Sequence, residues 1–110
     1  MQYREITPID RNEAELIFDG DELDNIRVTL VRVAFYDPDY VWAQERCLRF
    51  CEHEDSEVRS VAALCLGHVA RIHRKLDLDK VLPVLQRLLK DEQTVGRAED
   101  ALDDIKRYVR

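Results

Sequence analysis

Aspartates at positions 37, 55 and 91 lie 18 and 36 residues apart, and the same pattern trails each of them. Ten residues on come small side chains, Cys47, Cys65 and Ala101, and eleven on come Leu48, Leu66 and Leu102. A shift of 36 residues also lays Ala62 on Ala98 and Val69 on Ile105. A 36-residue unit with an 18-residue half-unit describes stacked helical hairpins, because one hairpin cannot bury its apolar face alone and stacking covers it. The small residues let neighbouring helices approach, and the leucines fill the seam between layers.

Helix-length segments separated by short acidic turns fit this unit. The first opens at Thr7-Pro8-Ile9-Asp10, with Thr7 as cap and Pro8 at the first helical position, and ends near Asp19-Gly20. The second runs from about Asp21 to Tyr36. Its stretch Ile26 to Val33 nearly alternates and also admits a strand. Helix is preferred, because Leu23, Ile26, Leu30 and Val33 keep a helical period over more than a strand's usual length. Asp37-Pro38 starts a third helix, reaching about His53. The fourth follows Asp55 and fades between Arg71 and Lys75, where positive charge suits a helix C-terminus. The fifth covers about Leu78 to Lys90 and the sixth about Asp91 to Val109. The expected fold is all-α, a short right-handed α-solenoid of about three αα-hairpins at 8–36, 38–74 and 78–109, forming one domain over 1–110.

Composition narrows the function classes. The chain has 110 residues and 45% hydrophobic side chains, enough for a core without staples. No apolar run has the ~20 residues a membrane span needs, and the charged N-terminus lacks the apolar stretch expected of a signal peptide. A net charge of −6 argues against nucleic acid and anionic membranes as partners. The three cysteines, Cys47, Cys51 and Cys65, form no disulfide framework and read as reduced thiols of a cytoplasmic protein.

The run Asp55-Ser-Glu-Val-Arg-Ser-Val-Ala-Ala-Leu-Cys-Leu-Gly67 resembles the second helix of a HEAT repeat, with an acidic turn, a Val-Arg pair, alanine and Leu-Gly. Leu82-Pro83-Val84-Leu85 with Leu88, Leu89 and Asp91 is similar to a first helix, and Asp91 to Ile105 to the next second helix. The likeness is good over 55–105 and loose before it; Val95-Gly96 replaces the Val-Arg pair. The resemblance implies that Arg59 is structural and pairs with acidic turn residues of an adjoining repeat. It also implies binding as the natural use of the fold.

Catalytic and metal constellations are missing. Cys47 and Cys51 share a helical face with His53 nearby, but zinc needs about four ligands, so the thiols read as buried small hydrophobes. His68 and His73 are five apart and do not share a face. Asp19 to Asp24 lacks the glycine and closing glutamate of a calcium loop. Neither a phosphate loop nor a nucleophile elbow is present. No enzyme activity, cofactor or metal is expected.

Charge is more informative. Residues 1–57 carry net −9 and residues 58–110 net +3, with a second acidic group at Glu99, Asp100, Asp103 and Asp104. Trp42 falls on the charged side of its helix beside Glu45, Arg46 and Arg49, where it is either an interface anchor or covered by Tyr3, Ile6 or a stacked arginine. Asn25, Thr29, Arg32 and Tyr36 form a polar stripe assigned to the concave surface. Small acidic HEAT-like proteins resemble immunity proteins of bacterial toxin systems. That likeness implies a monomer that occludes a basic, nuclease-type toxin domain, with Asp19, Asp21, Glu22, Asp24, Asp37, Asp39 and Trp42 as contacts. The alternative is a cytoplasmic adaptor that binds a helix or peptide in its groove.

Overall fold

The computed structural model describes residues 6–110 and contains six helices: α1 (Arg11–Phe18), α2 (Leu23–Tyr36), α3 (Tyr40–Phe50), α4 (Ser56–His73), α5 (Leu78–Leu88) and α6 (Val95–Tyr108). No strand occurs among the described residues, and 26–33 is helical, with Ile26, Leu30 and Val33 buried on one stripe. The helices pair as α1–α2, α3–α4 and α5–α6, a short solenoid of three hairpins.

The two layers are held by different chemistry. α4 packs closely on both α2 and α6. Small side chains permit this: Ala62, Ala63, Ala70, Ala98 and Ala101 are fully buried, and a Cβ added to Gly67 would stand 3.1 Å from the Ala101 Cα. α1, α3 and α5 make no comparably close backbone approach to one another. Long charged side chains bridge them instead: Arg46 to Glu15 at 3.2 Å, Arg49 to Asp19 at 3.3 Å, and Arg87 to Glu52. Tight spacing in one layer and wide spacing in the other curve the stack, with α2, α4 and α6 on the inner side. Between the layers lies one core that includes Phe18, Leu30, Phe50, Leu66 and Leu85.

Arg59 behaves as its resemblance implies. Its guanidinium donates to the carbonyls of His53 and Glu54, both at 2.9 Å, and reaches Asp91 of the next hairpin at 3.2 Å. Arg27 repeats this one hairpin earlier, meeting Asp55 at 4.0 Å and Glu57 at 3.5 Å.

Three helix starts differ from expectation. α1 begins at Arg11 with Asp10 as cap, because the Thr7 and Pro8 carbonyls are held by Arg32 at 2.8 Å each. α3 is capped by Asp39, and α6 begins only at Val95. Of the three spaced aspartates only Asp55 caps a helix N-terminus, and Asp37 instead closes α2 as its C-cap. What they share is a turn, in which each carboxylate accepts the N–H two residues on at 2.9 Å.

Candidate functional site

The hairpin turns α1–α2, α3–α4 and α5–α6 lie along one edge. Arg27 ties Asp24 to Asp55 and Glu57, Arg49 ties α3 to Asp19, and Arg59 ties α4 to Asp91. Onto this edge the fold gathers Asp19, Asp21, Glu22 and Asp24 with Glu52, Glu54, Glu57 and Glu92, which lie far apart in sequence. Asp21, Glu22, Glu54 and Glu92 are exposed and form no ion pair among the described residues. The acidity read as a property of the N-terminal half is therefore also a property of one edge, supplied by all three hairpins.

Asp37, Asp39 and Trp42 sit elsewhere. They lie at the other end of α2, whose 14 residues span about 20 Å. Arg11 of α1 reaches Asp37 at 2.8 Å and Asp39 at 3.5 Å while its guanidinium lies 4.7 Å from the Trp42 ring centre. Arg46 approaches the same ring at 5.8 Å, and Trp42 is half-buried. Trp42 is thus flanked by arginines on α1 and α3, one of the two arrangements the sequence allowed; Tyr3 lies outside the described residues. Burial raises the Asp37 carboxyl, but hydrogen bonds from Arg11 and the Asp39 N–H, with the charge of Arg11, outweigh it and hold it below the ordinary carboxylate range.

The polar stripe on α2 lines the concave surface only at its end. Thr29 is buried and Arg32 holds the entering chain, while Tyr36 donates its hydroxyl to the Ile6 carbonyl at 3.2 Å and keeps its ring exposed. The rest of the inner face is built from other residues. α4 is buried on most of its circumference and shows the inner side only a narrow row that includes Ser60, Leu64, His68 and Arg71. Beside Leu64 stand Asp100, Asp103, Asp104 and Arg107 of α6, enclosing a shallow groove. At the far end of the row His68 meets Phe35 of α2 edge-on at 4.8 Å between ring centres. The Arg71 guanidinium lies 3.4 Å from His68 Nδ1 and 5.8 Å from the centre of Phe35. Burial first, then the Arg71 charge, push the His68 imidazole below its ordinary value, with Asp104 pulling the other way.

The thiols are part of the core. Cys47, Cys51 and Cys65 are buried; the Cys65 hydrogen bond and burial raise Cys47, and burial raises Cys51. His53 Nδ1 accepts the Asp55 N–H at 3.0 Å and is occupied. No group of three or more metal-ligating side chains occurs among the described residues, and no described helix is long and apolar enough to cross a membrane.

Residues 44–73, the second half of α3 and all of α4, match the HEAT repeat family. No curated protein matches the chain in sequence. One solved chain is similar from end to end, in the crystal structure of a CDI complex from Cupriavidus taiwanensis LMG 19424. It is 29% identical with a TM-score of 0.86, over 98% of this chain and 97% of its own.

Proposed function

From a HEAT-repeat protein that follows a chain of a CDI complex along its whole length, we propose an immunity protein, one that binds and occludes the toxin domain of a contact-dependent inhibition system. The observation that carries this reading is the coverage: neither chain has a sizeable segment that the other lacks. A small solenoid supplies a rigid curved surface, so binding is the use its construction suits best.

The mechanism is steric and electrostatic. With net −6 overall and an edge where Asp21, Glu22, Glu54 and Glu92 form no ion pair among the described residues, the chain favours a basic partner, such as the cleft of a nuclease-type toxin. Carboxylates there stand in for nucleic-acid phosphate. Asp19 and Asp24, paired only at exposed sites, join that contact. Asp37, Asp39 and Trp42, engaged by Arg11, contribute by fixing α1 beside the partner. The protein acts without catalysis, as a cytoplasmic monomer that becomes one half of a complex.

A tagged pull-down from the native organism, with mass spectrometry and a salt titration, tests this. The expected result is one stoichiometric toxin domain, held tightly and associating more slowly as salt rises. Several weak, exchangeable partners refute the immunity reading and favour an adaptor.

A further inference from the structure

Among the described residues four large hydrophobic side chains are exposed: Leu16, Tyr36, Val41 and Ile72. Leu16 stands on the outer layer and Val41 at the start of α3. Tyr36 (47% exposed) and Ile72 (39%) stand at the C-terminal ends of two adjacent inner helices, and the residues between them close the gap. Phe35 lies 6.3 Å from the Tyr36 ring, His68 packs on Phe35, and Arg71 extends over it. Ile72 follows His68 by one helical turn. The patch joins aromatic rings, an aliphatic side chain and an arginine, the composition of interface cores; the acidic edge offers the Asp and Glu that such cores lack.

Charge says what would cover the patch. Arg71 and its neighbours Arg74 and Lys75 form no ion pair among the described residues, so this end of the inner face is cationic. We infer that Phe35, Tyr36, His68, Arg71 and Ile72 form the anchor of the complex, seating a segment of the toxin domain that presents an apolar side chain beside a carboxylate. The inference rests on the immunity reading and moves the anchor from Trp42 to the opposite layer. The acidic turns lie about 20 Å away along α2, so a domain of ordinary size can touch both ends of the inner face. The two ends then divide the work: the acidic edge steers approach and the aromatic patch sets the residence time.

The test uses the inactivated toxin domain of the CDI system that carries this chain, immobilised on a biosensor. Arg71→Glu with Ile72→Asp is expected to raise the dissociation rate about tenfold or more, with association little changed and the melting temperature held. Asp21→Lys with Glu22→Lys is expected to slow association and leave dissociation nearly unchanged. If the first double variant unfolds, Arg71→Ala alone serves, with a several-fold faster release expected. Wild-type release rates in folded Arg71 variants overturn the anchor while leaving the immunity reading intact. A wild-type chain that holds no toxin domain overturns both.

Discussion

Gly67 and Gly96 are both helical, and helix propensity alone says that alanine at either position stabilises the protein, by up to about 1 kcal/mol. Their surroundings predict opposite signs. A Cβ at Gly67 would stand 2.8 Å from Asp104 Oδ2 and 3.1 Å from the Ala101 Cα, whereas at Gly96 it would meet nothing within 4 Å. The Asp104 carboxylate can turn away at small cost. Ala101 cannot, because its Cα moves only if α6 moves off α4. Overpacking of this kind costs about 1–3 kcal/mol, and a backbone contact belongs in the upper part of that range. Less the propensity gain, Gly67→Ala loses about 1–2 kcal/mol, or about 5–10 °C of melting temperature for a domain this size. Gly96→Ala gains a few degrees. Thermal unfolding followed by far-UV circular dichroism reads both. Two substitutions that stabilise equally would refute the close α4–α6 approach on which the curvature depends.

Three further outcomes follow from the same geometry. Arg59→Ala should cost about 2–3 kcal/mol, since it strips two carbonyls as well as Asp91, while Asp91→Asn should cost about 1 kcal/mol or less; equal losses in denaturant titrations would contradict the assignment. Cys47 and Cys51, buried with raised pKa values, and the buried Cys65 should not react with a thiol reagent in the native protein, and all three should react after denaturation. His68 has a lowered folded pKa, so its share of stability is complete above its ordinary value of 6.5 and is lost as pH falls from there through the folded value. His68→Gln should flatten the stability profile in that window. Asp37, also lowered, keeps its share above 3.8 and loses it only as pH falls through its folded value, which separates the two groups.

The fold was legible because its signals are periodic. Ala62 and Ala98 repeat at the 36-residue spacing, and both are buried where the inner layer is tightest. Helix starts were less legible, because Asp-Pro at 37–38 reads as a cap, yet Arg11 and the Asp39 N–H, one of them 26 residues away, claim the Asp37 carboxylate. The site was legible only in part. Asp19 to Asp24 form a run that any charge count finds. Glu54, Glu57 and Glu92 join them only through folding, although Asp19, Asp55 and Asp91 recur at 36 residues and mark the three turns as equivalent. The contact of Phe35 with His68 spans two hairpins and leaves no local signal, and Arg32 looked exposed because its partners are backbone carbonyls of the entering chain.

The central claim is that this solenoid neutralises a toxin domain by sitting on it. The direct measurement is the activity of that toxin domain, titrated with increasing amounts of the chain. A linear fall to zero at one equivalent is the predicted result, as for a tight one-to-one complex. Full toxin activity in the presence of a large excess of the folded chain would contradict it.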